Sequence, residues 1–112
     1  LREQRLHDSV YKDYYAGCAA FLAVFVNPEK TEHPLEDASA AIENMMLAAW
    51  NLGLGTAWLE TLPEKEVKKL LGVPERLKFI ACIPIGYPAR IPPPPPRKPL
   101  EAFIHFEKYG RR

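Results

Sequence analysis

EDASAAIENMMLAAWNLGLGTAWLET, residues 36–61, decides the fold. Ala38, Ala41, Ile42, Met45, Ala49 and Leu52 recur at three- and four-residue intervals, which predicts an amphipathic helix over 36–52. Glu36 and Asp37 sit in its first turn, where carboxylates favour the positive end of the helix dipole. Gly53 stands where a C-terminal glycine cap belongs. Ala40, Met46, Ala48 and Trp50 widen the apolar surface beyond one stripe, so the helix is central to its own core or buried between subunits. After the tight turn at Gly55, GTAWLE (residues 55–60) predicts a short strand.

On the N-terminal side, the continuous apolar run 19–26, AAFLAVFV, has strand length and closes at Asn27-Pro28. A strand apolar on both faces is normally covered on both faces, which points to an α/β or α+β layer rather than an open hairpin. Residues 1–15 have loosely helical spacing that ends near Gly17, and residues 29–34 read as a polar loop. On the C-terminal side, PEKEVKKLLG predicts a second helix with Pro63 in its first turn and Gly72 as its stop. LKFIACIPIGYP is a third strand, in which Pro84 suggests an edge or a bulge. The five prolines at 92–96 must be stiff and extended, and PLEAFIHFEKYG closes the chain as an extended or mixed segment. Strands and helices in this order leave α/β and α+β open. One domain would span 1–112, with 91–99 as a proline-rich connector to the tail.

Length and charge narrow the function classes. The 112 residues suit one domain, and 15 Lys and Arg against 14 Asp and Glu leave a net charge of +1. That balance gives no electrostatic reason to expect nucleic acid or an anionic membrane. The longest apolar run, residues 16–26, is too short to span a bilayer. The charged opening LREQRLHDS lacks a signal-peptide hydrophobic region, which points to the cytoplasm. Cys18 and Cys82 lie in apolar runs without CxxC spacing and read as buried small hydrophobes. His7, His33 and His105 have no metal-ligand spacing.

The apolar helix, GLGTAWLET, a short helix ending LLGVPE, a strand, IGYP, a proline-rich loop with a basic residue and PLEAFIHFEKY follow in that order. Together, from Leu35 to Tyr109, they resemble the C-terminal half of the FMN-dependent nitroreductase family. The resemblance implies tightly held FMN, hydride taken from NADH or NADPH, and electrons passed to nitroaromatic, quinone or related small-molecule acceptors. It also implies a homodimer formed through the 36–52 helix and the C-terminal tail, with no catalytic acid or base and no metal.

Residue by residue, Trp58, Leu59, Glu60 and Thr61 match the family's strand-end segment beside the flavin ring, where a backbone N–H near Glu60 or Thr61 would meet the ring's redox-active nitrogen. Such a donor stabilises arriving electron density without a titratable group. Gly53 and Gly55 would permit close backbone approach, and Arg97, with Lys98 beside it, matches the tail arginine that contacts the FMN phosphate. Each has a plainer reading: Trp58 as a core or interface aromatic, Glu60 as a solvated carboxylate, the glycines as helix caps, Arg97 as a surface charge.

The sequence also departs from the family pattern. The Arg/Ser-rich phosphate-binding stretch, the ring-binding asparagine and one core strand that the family supplies earlier are not found, and Pro95 stands at its second basic tail position. The first residue is Leu1 rather than Met. The family's fold is α+β, with α-β-α layers and a short antiparallel or mixed sheet flanked by helices, and the missing family elements imply an incomplete version of it with part of a flavin site. Two alternatives follow: a non-catalytic flavin-binding or dimerisation relative, and a ligand for a polyproline-recognising partner through the PxxPxR spacing of Pro92, Pro95 and Arg97.

Overall fold

A computed structural model of the chain describes residues 17–111. The helical reading of residues 1–15 lies outside them. The elements in chain order are strand β1 (Ala20–Val26), helix α1 (Pro34–Asn51), strand β2 (Gly55–Thr56), helix α2 (Glu64–Leu71), strand β3 (Lys78–Gly86) and a 3₁₀ turn (Leu100–Ala102).

β3 is the centre of the fold. It lies between β1 and β2, antiparallel to both, and residues 79–84 are all buried. Strict alternation along a strand would put Phe79, Ala81 and Ile83 on one face. A bulge changes this: Val24 faces Ala81 and Phe25 faces Phe79, so Ile80 has no partner on β1. Phe79 and Cys82 therefore share a face with Leu59 and with Val67 of α2, joined by Phe21, Ala23 and Phe25 of β1. Ile80, Ala81 and Ile83 turn the other way, onto Ala38 and Ile42 of α1, with Val24, Met45 and Trp58 around them. The result is the expected α-β-α layering, built on a sheet that is antiparallel throughout.

α1 begins two residues before the predicted start. Pro34 occupies the first turn, where its missing N–H costs nothing, and Asp37 N–H donates to the His33 carbonyl (2.9 Å). The Thr31 hydroxyl donates to the Asp37 carboxylate and accepts from His33 N–H (3.0 Å), tying the preceding loop to the helix. At the other end, Gly53 at φ +77° lets its own N–H reach the Trp50 carbonyl and that of Leu54 reach the Ala49 carbonyl, both at 2.9 Å. These paired bonds satisfy carbonyls the helix would otherwise leave open.

Two expectations are corrected. The strand predicted over 55–60 is laddered only at Gly55 and Thr56, followed by a single bridge between Leu59 and Cys82. Pro84 is neither at an edge nor at a bulge; it sits in the central strand, and the bulge is at Ile80. The two corrections have one cause. Cys82 exchanges both of its backbone hydrogen bonds with Leu59, so by alternation Pro84 turns its nitrogen to the same side. That nitrogen carries no hydrogen, and the register places Pro84 opposite Ala57. The ladder breaks there, while β1 on the other side stays paired.

Beyond β3 the chain is exposed from Tyr87 through Glu101 and has no regular element until the 3₁₀ turn. The radius of gyration, 17.6 Å, exceeds the roughly 13 Å of a compact chain of this size. Leu100, Phe103, Phe106 and Tyr109 remain exposed along the tail.

Candidate functional site

The segment 58–61 takes its geometry from the broken ladder. Leu59 is buried and pinned by the pair of bonds to Cys82 (3.1 and 2.8 Å). Trp58, half-buried, packs on the opposite face among the side chains that join α1 to the sheet. Its indole Nε1–H donates to Glu60 Oε1 at 2.9 Å. Glu60 and Thr61 are exposed, and among the described residues their backbone N–H groups find no acceptor. Two successive donors at the end of the strand are thus unpaired among the described residues.

The two predicted glycines differ. A side chain at Gly53 would meet nothing within 4 Å, so its positive φ, not crowding, calls for glycine. At Gly55 an added Cβ would lie 3.5 Å from Pro88 Cβ and 3.6 Å from the Gly86 carbonyl oxygen, in ordinary contact. Arg97 and Lys98 are exposed at the end of the proline run, and neither forms an ion pair among the described residues.

A cleft of about 810 Å³ opens between the C-terminal half of α1, the end of the sheet and the loop after β3. Met46, Leu47 and Trp50 form its helical wall, and Glu43, Tyr87 and Arg90 bring polar groups to it. Of the predicted site residues only Gly55 lines it; 58–61, Gly53 and Arg97 do not. Glu43, Tyr87 and Arg90 escaped the sequence reading. Glu43 does share a helical stripe with Met46, Leu47 and Trp50, but Tyr87 and Arg90 reach the cleft only through the tertiary fold.

Groups whose titration the fold shifts lie elsewhere. Glu64 is held below the usual carboxylate range, first by the Phe79 N–H that its Oε1 accepts (3.0 Å) and then by Lys68 (2.9 Å). Lys68 is raised by the same carboxylate and also donates to the Glu75 carbonyl (3.0 Å). Burial pushes the Cys82 thiol up to about 11. Among the described residues no group of three or more His, Cys, Asp or Glu could hold a metal ion.

Fold and site define a three-layer α+β protein that presents, at a strand end, backbone donors and, on an extended arm, cations that are unpaired among the described residues. The chain belongs to the nitroreductase family, whose family model matches residues 2–87. That match starts well before the motifs at Leu35 and stops short of Arg97.

A provisionally named NADH dehydrogenase/NAD(P)H nitroreductase of Archaeoglobus fulgidus is 36% identical over 80 residues, which cover 64% of this chain and 46% of the relative. The provisionally named NAD(P)H nitroreductase YfhC of Bacillus subtilis is 30% identical over 106 residues, 89% of this chain and 54% of the relative. Coverage that wide continues past residue 87 into the tail. The crystal structure of a provisionally named NADH dehydrogenase/NAD(P)H nitroreductase from Bacteroides thetaiotaomicron superposes with a TM-score of 0.79 at 27% identity, over 93% of this chain and 64% of that one. The chain thus spans about half the length of the curated relatives it matches. No helix among the described residues is long and apolar enough to cross a membrane.

Proposed function

We propose that this chain supplies half of the flavin site of a cytoplasmic, FMN-dependent oxidoreductase that moves hydride from NAD(P)H to a nitroaromatic, quinone or related acceptor. The observation that carries the reading is the pair of N–H donors at Glu60 and Thr61, without an acceptor among the described residues, in a segment of a nitroreductase-family chain. The residues present fit FMN chemically. Neutral backbone donors suit an electron-accepting ring edge, and the unpaired Arg97 and Lys98 suit a phosphate. Among the similar proteins, one is named an FMN reductase (NADPH) and one solved structure an FMN-dependent nitroreductase.

Bound FMN would supply a two-electron carrier between donor and acceptor. The chain's own part is positional. Leu59 anchors the segment to Cys82, Trp58 packs it against α1, Glu60 and Thr61 present their N–H groups, and Gly55 opens the paired strip opposite Gly86. Gly53 ends α1 so that the chain can enter that turn. Residues 91–99 act as a connector that carries Arg97 and the tail away from the sheet.

The apolar side chains that α1 leaves exposed support a second copy as partner. Leu35, Leu47 and Trp50 are among them, and the tail offers Phe103, Phe106 and Tyr109. Titration of the purified chain with FMN, followed by flavin absorbance and sedimentation, tests both parts. Micromolar or tighter binding by a dimer is expected. An absence of flavin bands after reconstitution refutes the site and favours a non-catalytic dimerisation relative, for which the Pro95 departure speaks.

A further inference from the structure

We infer that the Trp58–Glu60 hydrogen bond is a latch that sets how readily bound FMN accepts electrons, with Trp58 acting as a positioning residue through Glu60. The inference rests on the site proposed above and adds a determinant of potential to it. Glu60 is the sole formal charge between Leu54 and Pro63, and it belongs to the residue whose N–H is one of the two open donors. A carboxylate free to swing around such a donor would place negative charge where electrons must arrive and so oppose reduction. The indole holds it back. Residues two apart on an extended chain lie on the same face, so the Glu60 side chain shares Trp58's face, the one covered by α1. Nε1–H reaches Glu60 Oε1 at 2.9 Å. The indole itself is fixed by packing against the α1–sheet side chains, so the direction in which it donates is fixed too. The latch leaves the backbone donors of Glu60 and Thr61 open while tying the carboxylate to the helix side.

The test is a set of flavin midpoint potentials on the FMN-reconstituted protein. Trp58→Phe keeps an aromatic ring and removes the donor. It should make two-electron reduction about tenfold less favourable, a shift of about 30 mV to the negative for a two-electron couple. Glu60→Gln should shift the potential the other way, and in the double variant Trp58→Phe should have no further effect, because it acts only through the carboxylate. Glu60→Asp covers the case in which Trp58→Phe does not fold: at an exposed position it keeps the charge but shortens the reach, and it should reproduce the negative shift. Equal potentials for wild type and Glu60→Asp overturn the latch, as does a Trp58→Phe shift that persists in the Glu60→Gln background. A wild-type chain that holds no FMN refutes the underlying site reading, and with it the latch, and that result is visible in the absorbance spectrum before any potential is measured.

Discussion

Replacing Ile42 with Ala tests whether α1 is docked on the sheet as described. Ile42 has no exposed surface and packs with Ala38, Ile80, Ala81 and Ile83 in the layer between α1 and β3. The substitution removes three carbons, at about 0.8 kcal/mol each, so the transfer loss is about 2.4 kcal/mol. The layer cannot collapse freely, because Ala81 and Ile83 belong to the central strand, and the residual cavity adds about 1 kcal/mol. The expected total, about 3–4 kcal/mol, is a large part of the 5–15 kcal/mol that holds an ordinary domain folded. Ile42→Val, one carbon smaller, should cost about 1 kcal/mol. Urea unfolding followed by the fluorescence of Trp50 and Trp58 measures both at one fixed protein concentration, since association would raise apparent stability. If Ile42→Ala costs under 1 kcal/mol with an unchanged denaturant slope, α1 does not bury this residue against β3.

The depressed Glu64 carboxyl contributes stability above the ordinary carboxylate range and loses it as pH falls through its lowered folded-state value. Urea midpoints should therefore drop below about pH 4.5, less steeply in Glu64→Gln; identical slopes would remove the Phe79 N–H and Lys68 contacts from the explanation. Lys68 works in the opposite sense: its contribution is complete below its ordinary value and fades as pH rises through the raised one, so Lys68→Met should flatten the alkaline limb. With its thiol pushed up to about 11, Cys82 should resist alkylation at pH 8.5 until the protein is unfolded, and prompt labelling under native conditions would contradict its burial. Gly72 ends α2 at φ +66°, so Gly72→Ala should lower stability by about 1 kcal/mol in thermal melts, and no change would mean the turn can relax to negative φ.

What could be read from the sequence was set by local chemistry. The span of α1 follows from its apolar stripe and from Glu36, Asp37 and Gly53, and the structure moves its start only to Pro34. The helix stop at Gly72 and the β1 run were legible for the same reason. The break at 57–58 was not, because its cause is Pro84, a residue distant in sequence that comes opposite Ala57 only once β3 occupies the middle of the sheet. The bulge at Ile80 is equally silent in a run where every residue is apolar. Glu43, Tyr87 and Arg90 line the cleft because helix, strand end and loop converge in space, and no spacing in the chain announces that. The segment 58–61 stood out by resemblance, whereas its open donors and the indole–carboxylate bond are matters of tertiary geometry.

The interrupted ladder also divides the molecule by timescale. The β1–β3 pairing runs unbroken across the sheet apart from its bulge, while the strip from Gly55 to Leu59 is held by two paired residues, a gap opposite Pro84 and one bridge. Lifting 57–61 breaks the Leu59–Cys82 pair and the packing of Leu59 and Trp58 but leaves the β1–β3 ladder intact, so this strip opens in a local fluctuation below the free energy of global unfolding. The amides of Ala81 and Ile83, facing β1, should exchange with solvent only through rarer, larger openings than the amide of Leu59. A group held by Glu60 and Thr61 would therefore sit on the strip that loosens first, while the β1–β3 pairing stays closed.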